Sequence, residues 1–373
     1  MPLEQAIFDD PDDREAWQVY GDWLQQQEDP RGELILLDLA EGISAAELEA
    51  RRAAILAEHR ERLLGPLANV LGDPALDQAL ELEWSRGYIV RVKVGCSDED
   101  YEGPPIPELV TALVQSPATR FLRSLWIGTS FDEDEDWLGL METNLAAATG
   151  AGPLPALTEL TIADTEGYWD ISSTRVGDIG AALRAAPRLR SLKVVGGEIS
   201  LEPTTHAALC SLTIETGGLP TDTTRAVVES SFPALTELSI YLGDEQYGGT
   251  STLADLDGLW SGERLPSLEH LGLADAAYQN EIAAALAASP ILDRLRSVDL
   301  SLGTMTDEGV AAIVGAASRF ARLERLDVRE NFLTPEGIER LRAALPGVDV
   351  QAGDQKDSRG WGGRIRYYVS VGE

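Results

Sequence analysis

Residues 323–333 read LERLDVRENFL, with apolar side chains at Leu323, Leu326, Val328 and Leu333 and an amide at Asn331. Alternation along an extended chain puts Leu326 and Val328 on one face, so the stretch describes a short strand that leaves by a turn. The pattern recurs as FLRSLWIG (121–128), LTELTIAD (157–164), LRSLKVVG (189–196), LCSLTIET (209–216), LTELSIYL (235–242), LEHLGLAD (268–275) and LRSVDLSL (295–302). ALTEL recurs letter for letter at 156–160 and 234–238. The leading leucines, Leu122, Leu157, Leu189, Leu209, Leu235, Leu268, Leu295 and Leu323, are spaced by 20 to 35 residues. A unit of this size cannot bury its apolar face alone, so the copies are expected to stack into one elongated array.

The pattern LxxLxLxxNxL resembles the leucine-rich repeat. The expected fold is therefore α/β: a leucine-rich-repeat solenoid with a concave parallel β-sheet and convex helices, plus an N-terminal helical cap. Helices are predicted at 107–116, 136–148, 176–186, 221–231, 252–260, 280–289, 307–318 and 335–345, one after each strand. Strands that return through helices must run parallel. Four segments are expected: a helical N-terminal module (1–79), transition strands (80–104), the solenoid (105–347) and a C-terminal cap (348–373).

In the N-terminal module, Trp17, Tyr20 and Leu24 share one helical face with Trp23 beside them, and Asp12 is placed to cap the helix. Asp13-Arg14, YGDWL (20–24) and EDPRGELILLDL (28–39) resemble the repeat-companion domain, a short bacterial module found beside solenoid repeats. Gly21 and Glu28 depart from its usual alanine and glycine. The resemblance implies a companion role to the repeats and no activity. Residues 45–64 read as one helix with Ser44 and Glu47 as a capping box and Gly65-Pro66 as its stop. LELEWSRGYIVRVKVG (80–95) switches to alternation, with Arg86-Gly87 as a turn between two strands.

Residues 229–249, 265–275, 297–309 and 366–373 together resemble a bacterial leucine-rich-repeat family of no established activity. The closing RIRYYVSVGE alternates like a strand, and Trp361 stands in a glycine-rich turn. This segment reads as a cap over the last repeat, with a binding tail as the alternative.

The 373 residues are 44% hydrophobic and 25% charged, with a net charge of −33 and two cysteines. That charge repels nucleic acid and anionic membrane, so neither is an expected partner. It reads as a solvated surface, with a basic partner as the open alternative. The acidic N-terminus lacks a secretory pattern and no apolar run is membrane-spanning, so a cytoplasmic protein is expected.

Catalytic candidates are few. His59, His206 and His270 show no metal-ligand spacing and read as surface or edge residues. Cys96-Ser97-Asp98 matches the Cys-x-Asp trio of a class of bacterial ubiquitin ligases that also carry such repeats, but there it follows the repeats in a helical domain. Here it precedes them among acids that raise the thiol pKa, so Cys96 reads as structural. Cys210 reads as a near-core residue. FDEDEDWL (131–138) lacks the glycine and terminal glutamate of a calcium loop. No nucleotide motif is present, and no enzyme activity, metal or cofactor is expected.

Period-two register turns an ordered set of residues out of the sheet: Ser124, Trp126; Glu159, Thr161; Ser191, Lys193; Ser211, Thr213, Glu215; Glu237, Ser239, Tyr241; His270, Gly272; Ser297, Asp299, Ser301; Arg325, Asp327, Arg329. Aromatic residues Tyr168, Trp169 and Tyr247 stand in inserted loops that either bind or pack. The expected function is a non-catalytic protein-interaction scaffold or recognition module. Its leading contacts are Trp126, Glu159, Lys193, Glu215, Glu237, Tyr241, Tyr247, Asp299, Arg325 and Arg329, and its partner is a protein or peptide. Regulation of a small GTPase is the alternative, by fold analogy alone.

Overall fold

The structure, a computed structural model, describes residues 2–40, 42–98, 100–130, 139–164, 170–357, 359–361 and 364–371. Its strands in chain order are β1 (Leu80–Ser85), β2 (Tyr88–Cys96), β3 (Ser124–Ser130), β4 (Gly139–Leu140), β5 (Glu159–Ile162), β6 (Thr174–Asp178), β7 (Ser191–Val195), β8 (Gly197–Ser200), β9 (Ser211–Glu215), β10 (Glu237–Gly243), β11 (His270–Ala276), β12 (Ser297–Asp299), β13 (Arg325–Asp327), β14 (Asp349–Gln351), β15 (Arg359–Trp361) and β16 (Arg364–Arg366). β1 and β2 form an antiparallel hairpin around Arg86 and Gly87, both at positive φ. From β2 the sheet continues in parallel through β3, β5, β7, β9, β10, β11, β12, β13 and β14. The chain is a leucine-rich-repeat solenoid.

Register explains why the motif repeats. Val92, Leu125, Leu160, Leu192, Leu212, Leu238, Leu271, Val298, Leu326 and Val350 stand opposite one another in a single row. All are buried. Each leucine removed from water contributes about 1.5–3 kcal/mol. Asn331, fully buried, secures the turn after β13: its amide nitrogen donates to the carbonyls of Leu300, Arg329 and Val328 at 2.8, 3.1 and 3.2 Å, and its oxygen accepts Met305 N–H at 2.8 Å.

The helical layer departs from expectation in four places. The helix expected at 136–148 starts only at Glu142 (Glu142–Gly150), because Gly139–Leu140 pairs with the end of β3. The helix expected at 176–186 is Ile179–Ala185 capped by Asp178, because Thr174–Asp178 is a strand. β4, β6 and β8 thus form a side arm off β3, whose short strands interrupt the helical period. Residues 252–260 divide into a tight turn (Leu253–Leu256) and a helical turn (Asp257–Trp260), and 307–318 breaks at Ala316.

At the N-terminus, helices Pro2–Asp9, Arg14–Gln26 and Arg31–Leu39 pack on β2 through an aromatic cluster centred on Phe121. The Phe121 ring lies 4.8 Å from Tyr88, 4.9 Å from Trp17, 5.4 Å from Phe8 and 5.6 Å from Tyr20, centroid to centroid. Trp23 is not fully in this core; it is half-buried and stacks on Tyr20. Asp13, not Asp12, caps the second helix by accepting the N–H of Glu15 and Ala16. A Cβ on Gly32 would lie 2.7 Å from the Gly21 carbonyl oxygen, so only glycine allows these two helices to touch there. The helix expected over 45–64 breaks at His59 into Ala45–Glu58 and Arg60–Leu64.

At the other end, β15 and β16 pair with each other, and residues 367–371 are not a strand. The N–H groups of Ser370 and Val371 go instead to Asp275 Oδ1, at 2.8 and 2.9 Å. Lys356 Nζ donates to the Tyr368 and Leu302 carbonyls at 2.7 and 3.0 Å, and lies over the Phe332 and Tyr368 rings. The tail is thereby strapped across the ends of the last repeats.

Trp17 is 2% exposed and Val19, two residues on, is 46% exposed. Trp17→Ala is expected to lower unfolding free energy by about 3–5 kcal/mol. Val19→Ala should change it by less than about 0.5 kcal/mol. Chemical denaturation of both variants decides the matter, and equal midpoints would show that Phe121 does not anchor the helices through Trp17.

Candidate functional site

Two rows of outward side chains cross the sheet in register. The first runs Arg91, Ser124, Glu159, Ser191, Ser211, Glu237, His270, Ser297, Arg325, Asp349. The second runs Lys93, Trp126, Thr161, Lys193, Thr213, Ser239, Gly272, Asp299, Asp327, Gln351. Neighbouring strands are about 4.8 Å apart, so seven steps separate Trp126 from Asp327 by roughly 30 Å.

The expected contacts fall into groups along these rows. Trp126 donates its indole N–H to the Ala163 carbonyl at 2.9 Å and carries Lys93 Nζ 5.3 Å from its ring centroid. Glu159 is exposed on the next strand. Lys193 and Glu215 form an ion pair at 2.9 Å, and Glu237 accepts the Ser211 hydroxyl at 3.3 Å. Tyr241 stands opposite Ala274. Burial, then the charges of Glu215, Asp299, Asp275 and Glu330, push its hydroxyl up to about 12. Tyr247 lies off the sheet in the turn Glu245–Tyr247, where its hydroxyl accepts from Gln246. Tyr168, Trp169 and the run 131–138 lie outside the described residues.

Glu237, Asp299, Arg325 and Arg329 meet around a depression of about 260 Å³ on the concave face, together with Ser239, His270, Gly272, Ser297 and Asp327. Asp327 organises this site, although it is absent from the leading contacts read in the sequence. It is 3% exposed and accepts hydrogen bonds from Arg329 Nη2 at 2.7 Å and Arg325 Nη2 at 3.0 Å. Burial alone would raise its carboxyl; the bonds from Arg329 and Arg325 outweigh that and hold it below the usual carboxylate value. The signal was legible, since residues two apart on a strand share a face and Asp327 is flanked by arginines at both such positions. His270 Nδ1 lies 2.7 Å from Ser297 Oγ, a cross-strand contact that requires the register to be known.

A larger groove of about 610 Å³ lies on the helical side, between Glu142–Gly150 and Ile179–Ala185. Its lining is mostly alanine, glycine and threonine, and Arg184 there is already tied to Asp178 at 2.9 Å. The concave depression, with more polar groups converging on it, is the better candidate. His206 is not a surface residue: it is 5% exposed, with Nε2 against the Ala186 carbonyl and Nδ1 accepting the Leu209 N–H. Cys96 is 1% exposed, beneath the sheet's end. No helix among the described residues is long and apolar enough to cross a membrane.

Residues 295–314 match a family model described as Leucine Rich repeat. A solved structure of a protein from Bacteroides fragilis aligns at 24% identity with a TM-score of 0.61, covering 84% of this chain and 85% of that one. At that identity the likeness concerns the fold. An internalin from Listeria monocytogenes aligns at 14% identity and TM-score 0.31, over 80% of this chain and 95% of its own. Human 5T4, trophoblast glycoprotein, aligns at 18% identity and TM-score 0.37, over 71% of this chain and 77% of its own. Neither of these distant likenesses bears on function. No curated protein matches the chain.

Asp327→Asn keeps the shape and removes the charge that holds both arginines. The arginines are half exposed, so solvent screening limits the expected loss to about 1–2 kcal/mol near neutral pH. Because the folded carboxyl lies below its unfolded value, its contribution is present above the ordinary carboxylate range and is lost as pH falls through it. Stability measured against pH should therefore fall more shallowly in acid for the variant, and superimposable profiles would contradict this assignment.

Proposed function

We propose that this chain is a non-catalytic recognition module that binds an extended segment of protein or peptide along its concave face. The observation behind this reading is the length and register of the two outward rows. Exposed glutamate, paired lysine and the arginine pair are spread over a span that no small molecule can bridge. A surface already ordered by its own cross-strand bonds loses little freedom when a partner docks. The proposed contacts are Trp126, Glu159, Lys193, Glu215, Glu237, Tyr241, Asp299, Arg325 and Arg329, with Tyr247 at the adjoining rim.

The N-terminal helices fit a companion role, since their aromatic cluster covers β2 and its flank. Asp13, Arg14 and the YGDWL and DPRGE stretches are the residues on which a bacterial repeat-companion module is proposed. Two cysteines in the whole sequence fit a cytoplasmic setting, where disulfides are rare.

A partner recovered by affinity capture from native cells provides the test. Tyr241→Ala, and Glu215→Ala combined with Glu237→Ala, should weaken binding by about 1 kcal/mol or more. Glu339→Ala on the exposed helical side should leave it unchanged. Equal affinity for all these variants would move the site off the concave face.

A further inference from the structure

In the second outward row, β11 alone lacks a side chain: Gly272 stands between Ser239 and Asp299. Two residues on, the same strand offers only Ala274, opposite Tyr241. Ala274 is fully covered, so the opening lies beside Gly272 alone, where the concave depression has Glu237 and Ser239 on one side and Ser297 and Asp299 on the other. A Cβ on Gly272 would lie 2.9 Å from Ser239 Oγ, so the serine side chain takes the space beside the glycine and forms one wall of the depression.

The charges around it are unequal. Glu237 is exposed at the mouth, and Asp299 lies half-buried with one oxygen accepting the Ser301 N–H at 2.8 Å. Arg325 and Arg329 line the same depression, but both are folded onto Asp327. Those three groups sum to a single positive charge, against two negative ones from Glu237 and Asp299. The chain as a whole is at −33.

We propose that the depression beside Gly272 is the anchor pocket for one cationic side chain, arginine or lysine, of the bound segment. Asp299 and Glu237, which line it, supply the counter-charge. An arginine here would replace solvent around a carboxylate that is already largely withdrawn from it, where an ion pair gains more than at an open surface. This inference rests on concave-face recognition and assigns its chemistry.

The test uses the full chain, isotope-labelled, titrated with acetyl-Gly-Arg-Gly-amide and, separately, with the citrulline and glutamate counterparts. The expected result is saturable movement of the Gly272 amide resonance with the arginine peptide only. Asp299→Asn should weaken that response by about tenfold, while Glu142→Gln in the helical-side groove leaves it unchanged. A response to citrulline equal to that of arginine would overturn the cation assignment. A stronger response to glutamate would also overturn it, transferring the pocket to Arg325 and Arg329 while leaving concave-face recognition standing. No movement of any concave amide with any of the three peptides would overturn the pocket itself, whereas partner mapping to the helical side would separately overturn the wider reading.

Discussion

In-register parallel stacking is the constraint on which the rest of this structure depends. Once Leu125 must stand opposite Leu160, and Leu160 opposite Leu192, each unit is obliged to place a similar apolar side chain at the same point of its strand. The strand must then leave the sheet before it collides with the helical layer. Asp275 near the end of β11, Leu302 after β12 and Glu330 after β13 accordingly all adopt positive φ. The backbone groups stranded by those turns are buried, and buried amides have to find partners. Asn331 does this after β13, and Gln279 does it after β11 by donating to the Leu273 carbonyl and accepting the Ala276 N–H.

The same register determines what the outer face can be. Inward positions are committed to leucine, isoleucine and valine, so chemical variety is confined to the alternating positions that look away. There the side chains satisfy one another, across strands in the Lys193–Glu215 pair and along a single strand where Arg325 and Arg329 fold onto Asp327. These bonds hold long side chains in place before any partner arrives. Charge is thus arranged locally against a strongly acidic whole.

Reading from the sequence succeeded where periodicity was local. Each leucine motif from 121 to 333 contains a strand at its centre, because two apolar residues spaced by two suffice to mark one face. It failed where a residue's environment comes from another unit. VGDIGAALRAA reads as one helix, yet its first residues extend a side arm begun by β4, which only the folded neighbour supplies. His206 gives no local sign of burial, since Ala186, whose carbonyl meets its Nε2, is brought to it by stacking. The tail alternates like a strand, and Asp275, nearly a hundred residues earlier, takes the N–H groups that a strand would have used. Among the expected contacts, outward register was correct for those on strands. Tyr247 lies beyond the last strand residue, Gly243, and takes its position from a turn instead.

That attachment of the tail to Asp275 also bears on how the array comes apart. A linear stack with a loose end can fray one repeat at a time, each exposing only its own interface. Here residues 370–371 reach back past β13 and β12 to Asp275 near the end of β11, closing β12, β13, β14 and their helices into a loop. Opening the outermost repeat therefore requires the Asp275 and Lys356 bonds to break first, and once they are gone nothing but stacking restrains the others. The segment from Asp275 to Val371 is therefore expected to melt as one cooperative block, with the strap resisting local opening.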